Sequence, residues 1–312
     1  MNISIVMTTY NGQEHIIEQM ESIKNQTRIP DEVIILDDQS SDDTVNIIQN
    51  YIEKNSLENW GIKINSVNKG WAQNFFDGMR EATGDIIFLS DQDDIWTANK
   101  INDMSKVMED FPQIDVLSGN WSSKLEGNVG FLSKLYYFVE KIKITNNGKL
   151  VKQQFRDDEA YDRPGWTYCY RNTFFHDIEK YYDGSSHDGF LCRYSVFKGS
   201  FYKLNVLTGY FRRHVKSTTS YDAQIKMDNV QKEISLSDSK IKIIQSLINY
   251  LEKSGGNQAI VDSLKIRMIY FEKRKDYIRK KSIYLFMKVS YKYWRYSNLV
   301  FKIKDFMYLI RK

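Results

Sequence analysis

With 312 residues, 42% of them hydrophobic and 27% charged, the chain is long enough for a full-sized domain and too apolar to be a disordered polymer. No run reaches the roughly 18 apolar residues of a membrane span, and the N-terminus enters a strand-like run with no basic leader, which argues against a signal peptide. The net charge of +4 is uneven: residues 273–312 hold 13 Lys/Arg against 2 Asp/Glu, so the rest of the chain is acidic. Cys169 and Cys192 are the only cysteines and lack zinc-type spacing, which predicts a reducing, cytoplasmic setting without a disulfide framework.

In chain order, Ile3–Met7 reads as a buried strand, and Ile16, Met20 and Ile23 fall at helical spacing. Val33–Leu36 is a second strand, and Val45, Ile48 and Ile52 mark a second helix. Ile62–Val67 is a weaker strand. Trp71–Ala82 reads as a helix that Gly84 would end. Ile86–Leu89 is a strand, and Ile101, Met104 and Met108 share a helix face. This alternation predicts an α/β protein whose ligands bind at the carboxyl ends of parallel strands. Residues 120–160 mix Gly, Asn, Lys and aromatics and read as variable structure that covers the site. Strand and loop signals return over 164–221. After Asp222 the character is helical, with a stripe of Ile241, Ile244, Ile248 and Leu251, a break at Ser254–Asn257, and a second stripe of Ile260, Leu264, Met268 and Phe271. Two regions are expected: 1–221, carrying the chemistry, and 222–312, a basic, aromatic helical extension.

Three strand ends carry polar signatures. Ser90-Asp91-Gln92-Asp93-Asp94 crowds three carboxylates into four residues. Hard oxygen ligands of this kind suit Mg²⁺ or Mn²⁺, which share their coordination with substrate phosphates; the bland reading is a solvated acidic turn. Leu36-Asp37-Asp38-Gln39-Ser40-Ser41-Asp42-Asp43-Thr44 opens a helix. Capping by Ser41 or Asp42 explains part of it, but not the Asp pair, which suits a ribose or a base edge. Thr8-Thr9-Tyr10-Asn11-Gly12 is a turn by its Asn-Gly, or a loop touching a nucleotide.

Taken together with Asn68-Lys69-Gly70, these motifs resemble the inverting family 2 glycosyltransferases of the GT-A type. Ser-Asp-Gln-Asp-Asp-Ile-Trp is most similar to the rhamnosyltransferase branch that builds capsules, O-antigens and wall polysaccharides. The resemblance covers roughly residues 1–220. It implies a Rossmann-like, mostly parallel sheet flanked by helices, and a nucleotide-sugar donor bound by Thr9, Tyr10, Asn11, Asp38, Asn68, Gly70, Asn74 and Asp91. It implies Asp93 as the direct metal ligand, with Asp91 on ribose or metal water. His187-Asp188 matches the family's late acid motif, making Asp188 the catalytic base. Tyr210-Phe211-Arg212-Arg213-His214 is similar to the family's Tyr-Arg-x-His segment, with Phe211 where Tyr is usual; Arg212 would pair with the diphosphate and His214 with metal or phosphate. The loop from Gly165 to Arg171, with His187, would frame donor sugar and acceptor, Trp166 and Tyr168 serving either as sugar platforms or as core.

Leu285, Val289, Tyr293, Tyr296, Val300, Ile303, Met307 and Ile310 step as one helical face beside a basic stripe of Lys288, Lys292, Arg295 and Lys302. This composition suits a helix lying on an anionic membrane surface, or one docked on the body or on a second subunit of a homo-oligomer. The expected setting is thus the inner face of the cell membrane, with a lipid-linked saccharide as acceptor. A UDP-hexose donor in place of dTDP-rhamnose, and a non-catalytic saccharide-binding subunit, are the alternatives. A nucleotidyltransferase is disfavoured because Thr8–Gly12 has no Lys or Arg, and nucleic acid because no recognition module is present.

Overall fold

A computed structural model describes residues 1–125, 146–154, 164–213, 230–294 and 299–310. The chain divides into two compact units: one takes 1–154, 162–180 and 186–215, the other 155–161, 181–185 and 216–312. Residue 221, the expected boundary, lies outside the described residues.

The first unit is built on a mixed sheet. Its strands are β1 (Ile3–Thr9), β2 (Glu32–Asp37), β3 (Trp60–Ile64), β4 (Ile86–Ser90), β5 (Ile95–Trp96), β6 (Val116–Leu125), β7 (Leu150–Lys152), β8 (Tyr168–Arg171) and β9 (Phe201–Arg213). They lie in the order β3-β2-β1-β4-β8-β6-β9-β5, with β7 also on β9. β1 to β4 are parallel. Every residue of β1 and of β4 is buried, as expected of parallel strands covered on both faces. That is why Ile3–Met7 and Ile86–Leu89 are continuous apolar runs rather than alternating ones.

The helices α1 (Ile16–Lys24), α2 (Thr44–Lys54), α3 (Trp71–Glu81) and α4 (Lys100–Asp110) follow β1, β2, β3 and the short β5 in turn. Ile16, Met20 and Ile23 of α1, and Ile101, Met104 and Met108 of α4, are buried as their spacing predicts. Gly84 does not end α3, which stops at Glu81. Its role is close approach: a Cβ there would lie 2.7 Å from the Ser4 backbone nitrogen. Past β8 come α5 (Asn172–Ile178) and α6 (His187–Lys198).

The second unit contains α7 (Val230–Ser254), α8 (Gln258–Arg279), α9 (Ile283–Lys292) and α10 (Leu299–Ile310). Ile244, Ile248 and Leu251 of α7, and Leu264 and Phe271 of α8, are buried. The break at Gly255 has a left-handed φ of 69°. At the centre, the Arg274 guanidinium is buried with both acids it meets: its Nε and one terminal nitrogen donate to Asp305 at 2.8 and 2.6 Å, and the same terminal nitrogen donates to Glu233 at 2.6 Å. The other terminal nitrogen donates to Ser237 Oγ at 2.8 Å, and Tyr277 donates its hydroxyl to Asp305. One fully bonded cation thus ties α7, α8 and α10 together.

The tail corrects its expectation. It is two helices, not one continuous face. Val289 and Tyr293 are buried, whereas Ile303, Met307 and Ile310 are exposed. Lys302, expected in a solvated basic stripe, is buried, donates to the Trp294 carbonyl at 2.7 Å and lies 3.6 Å over the Trp294 ring. No described helix is long and apolar enough to cross a membrane.

Candidate active site

The register of the parallel strands brings three polar loops side by side. Thr9 pairs with Asp37, and Met7 with Ser90, so 9–12, 37–44 and 90–94 leave neighbouring strand ends. Asp38 N–H donates to the Thr9 carbonyl at 2.8 Å. Asn11 N–H donates to Ser40 Oγ, Asn11 Oδ1 accepts from Ser41 N–H, and Gly12 N–H donates to Thr44 Oγ1, each at 2.8 Å. Asn11 adopts a φ of 49°, which Asn tolerates better than most residues.

The two aspartates at the end of β2, Asp37 in the strand and Asp38 just past it, divide their work. Asp37 is wholly buried and consumed locally: it accepts from Thr9 Oγ1 at 2.7 Å, from Ser40 N–H at 2.8 Å and from Ser40 Oγ at 2.6 Å. The Thr9 hydroxyl, expected on the nucleotide, is therefore engaged inside the protein. Asp38 binds the next loop, accepting from Lys69 and Gly70 N–H at 2.8 Å each and from Asn65 Nδ2 at 2.9 Å. Asn68 donates to the Asp38 carbonyl. Asn74 donates to the Leu36 carbonyl at 2.9 Å and accepts from Asn65 at 2.8 Å. Asp38, Asn68, Gly70 and Asn74 thus form one network, whose fifth member, Asn65, the sequence reading missed.

The acidic loop is held from three sides. Gln92 bonds both backbone groups of Tyr10. Gly12 leaves room for this amide: a Cβ there would lie 2.3 Å from Gln92 Oε1 and would displace it. Gln19 contacts Ser90 Oγ at 2.7 Å from below. Arg212 lies on the other side. It was expected at the diphosphate, but the structure buries it: its Nε donates to the Asp93 carbonyl at 2.8 Å, its N–H to Asp94 Oδ1 at 3.3 Å, and its guanidinium pairs with Glu18. Arg212 therefore braces the loop from β9.

The carboxylates crowd one another. Asp91 is pushed up to about 7, first by burial and then by the nearby charges of Asp93 and Asp188. Asp94 is fully buried and held well above the usual carboxylate range by burial and by the charges of Asp91 and Asp93, and its Oδ2 has no hydrogen-bond partner. Lys100, unnoticed in the sequence reading, is a buried cation beneath them. Its Nζ donates to the Trp166 carbonyl and lies 3.5 Å from the centre of the Trp96 ring. Burial drives this amine well below its ordinary value, against the pull of Asp94 and Asp91.

Asp188, on another element, is near enough for its charge to bear on Asp91. It opens α6, whose N-cap Ser186 accepts from Gly189 N–H. The adjacent His187 is buried, its ring 3.8 Å from that of Phe75 on α3. Gly165 permits this approach: a Cβ on it would lie 2.4 Å from His187 Nε2 and 2.9 Å from Asp188 Cβ. His187 packs beneath the site rather than framing it. Trp166 and Tyr168, expected as sugar platforms or core, are core: Trp166 is 0% and Tyr168 1% exposed, and the Trp166 ring lies against Gly209. Tyr10 and Asn11 are exposed at the site. His214 lies outside the described residues. Among the described residues, no group of three or more His, Cys, Asp or Glu side chains is placed to hold a metal ion.

A mixed sheet, parallel over β1 to β4, flanked by helices and carrying polar loops at its strand ends is the fold of the GT-A sugar transferases. The profile of glycosyl transferase family 2 matches residues 4–178, and the chain belongs to that family. A dTDP-rhamnosyl transferase, RfbG of Shigella flexneri, is 39% identical over 101 residues, covering 30% of this chain and 34% of the relative. The UDP-Glc:alpha-D-GlcNAc-diphosphoundecaprenol beta-1,3-glucosyltransferase WfgD of Escherichia coli is 31% identical over 153 residues, 48% of this chain and 55% of the relative. The match covers less than two thirds of the length of the first curated relatives. A crystal structure of residues 1–349 of TarS from S. aureus with UDP shares the fold, with TM-score 0.57, 17% identity and coverage of 94% of this chain and 91% of that one.

Proposed function

We propose that the protein transfers a sugar, with inversion, from a nucleotide-sugar donor to a lipid-linked saccharide in bacterial surface-polysaccharide synthesis. The observation that carries this reading is the convergence of the polar loops after β1, β2 and β4 on neighbouring strand ends, with Asp188 near enough for its charge to help raise the Asp91 carboxyl; an inverting transfer requires such a second carboxylate. Asp188 takes the proton of the acceptor hydroxyl, that oxygen bonds to the anomeric carbon, and the bond from that carbon to the nucleoside diphosphate breaks. Tyr10, Asn11, Asp38 with its loop 65–70, Asn74 and Asp91 hold the nucleotide and ribose.

A divalent cation is the cofactor we propose, held by two carboxylates of the acidic loop with ligands from outside the protein. Hard oxygens crowd until Asp91 is pushed up to about 7, and a cation would relieve that repulsion. Asp93 and Asp91 would hold Mg²⁺ or Mn²⁺, with His214 a further candidate and phosphate oxygens and water completing the shell. Such an ion would stabilise charge on the departing diphosphate.

The donor we favour is dTDP-rhamnose, on the motif Ser90–Trp96 and the likeness to RfbG; a UDP-hexose is the competing donor, supported by the name of WfgD. The setting we propose is the inner face of the cell membrane. The exposed face of α9 supports it: Tyr284, Met287 and Tyr291, with Tyr291 90% exposed, lie among exposed Lys281, Lys288 and Lys292. No acid occurs from Tyr277 to Lys304. A second copy of the chain is the competing occupant.

The test is release of nucleoside diphosphate from dTDP-rhamnose, UDP-glucose and UDP-N-acetylglucosamine, with Mg²⁺ or Mn²⁺ and undecaprenyl-diphosphate-linked saccharides as acceptors. One donor should be consumed in an acceptor-dependent way, and EDTA should stop it. Turnover that survives EDTA removes the metal assignment, and no turnover with any pair counts against the transferase reading.

A further inference from the structure

With Trp166 and Tyr168 in the core, a sugar ring needs another aromatic face; among the described residues of the strand-end loops and the helix that follows them, Tyr10 and Trp71 are exposed. Trp71 is exposed where such a face is needed. It is the first residue of α3, 60% exposed, directly after Gly70. Its place is fixed from both sides. Gly70 has a φ of 82° and donates its N–H to Asp38 Oδ2, so the chain enters α3 from the nucleotide-side network. The indole then meets the His187 ring edge-on, with centroids 6.0 Å apart and an interplanar angle of 82°. His187 is in turn stacked on Phe75, one helical turn along from Trp71, and is followed by Asp188. The exposed indole offers a rigid, amphipathic face that suits the apolar face of a pyranose.

We infer that Trp71 is the aromatic wall of the saccharide site, stacking on a sugar ring presented to Asp188. This inference rests on the transferase reading above. The ring could belong to the donor or to the acceptor; stacking chemistry is the same for both.

Chemical modification tests it without turnover. Trp71 and Trp294, at 60% and 63%, are the exposed indoles among the described tryptophans, while Trp60, Trp96 and Trp166 are buried. In the Trp294→Phe protein, N-bromosuccinimide should oxidise Trp71 fastest, as located by mass spectrometry. We expect slowing of at least about fivefold by a nucleotide sugar (donor ring) or by a GlcNAc-diphospho-lipid analogue (acceptor ring), and little by UDP or dTDP alone. Full protection by free nucleotide would assign the indole to the base and overturn the proposal, as would no protection by any of these probes. Kinetics separate this from failure of the transferase reading. In an active enzyme, Trp71→Ala should raise the KM of the protecting substrate about tenfold with free-nucleotide affinity kept, and Trp71→Phe should restore most of it. An unchanged KM would also overturn the proposal.

Discussion

Gln92 grips Tyr10 by both of its main-chain groups: Oε1 accepts from the Tyr10 N–H at 2.8 Å, and Nε2 donates to the Tyr10 carbonyl at 3.1 Å. The contact joins the loop after β1 to the loop after β4 across 82 residues of sequence. It makes the nucleotide loop and the acidic loop one unit, with the Gln92 amide acting as a strand-like bridge between them.

Truncating that amide should loosen the donor site without unfolding the protein. Two neutral hydrogen bonds contribute about 1 kcal/mol each. Gln92→Ala is therefore expected to weaken UDP or dTDP binding by roughly tenfold in calorimetry, with Tm shifted by only a few degrees. Unaltered affinity would mean that the clamp does not shape the nucleotide loop.

Asp188→Asn keeps the shape of α6 and removes the base. Nucleotide affinity should hold within about twofold, while kcat falls by about 10²–10⁴. A parallel loss of nucleotide binding would place Asp188 in the donor site instead.

The crowding of the acidic loop predicts a pH effect on the cation-free protein. The Asp91 carboxyl sits at about 7 in the fold against an ordinary 3.8, so the folded state holds its proton more tightly. Stability is thus lost as pH rises from about 4 to about 7. Asp91→Asn removes the penalty. In EDTA its Tm should exceed that of the wild type by a few degrees at pH 8, and the gap should close toward pH 4. A gap that persists at pH 4 would assign the effect to packing. Added Mg²⁺ or Mn²⁺ should raise the wild-type Tm at pH 8 more than that of the variant.

Arg274→Met leaves Glu233 and Asp305 buried without their cation. Removing one partner of a buried ion pair typically costs about 3–5 kcal/mol. The urea midpoint of the second unit should fall accordingly, whereas replacing all three with apolar residues should recover much of the loss. A midpoint left where it was would mean that water reaches the cluster.

Tyr291→Glu and Met287→Glu place charge on the exposed face of α9. Sedimentation with vesicles containing phosphatidylglycerol should drop by at least about tenfold, with no change in Tm, and binding should weaken at high salt. Undiminished sedimentation, or a dimer lost in the variants, would give the face to another occupant.

Much of the first unit was legible in the chain. A parallel strand buried on both sides must be an unbroken apolar run, so Ile3–Met7, Val33–Leu36 and Ile86–Leu89 announced themselves, and the motifs following them had to share one edge of the sheet. Periodicity is local, however, and cannot say which partner a polar side chain finds. Asp37 and Asp38 are adjacent and alike in sequence; where β2 ends, one turns into Thr9 and Ser40 and the other to the loop of Gly70. Arg212 looked like a phosphate ligand until β9 folded it onto Glu18, 194 residues away. Trp166 and Trp71 are equally aromatic on paper, and only the close approach of Gly209 to one ring, and its absence at the other, made the first core and left the second in solvent. The tail read as one helical stripe because its spacing survives a break in the helix. Burial of Asp305 against Arg274 decided which side of α10 turns inward. Local sequence determined the elements and the order of the polar loops; long-range packing determined which of their side chains remain available for chemistry.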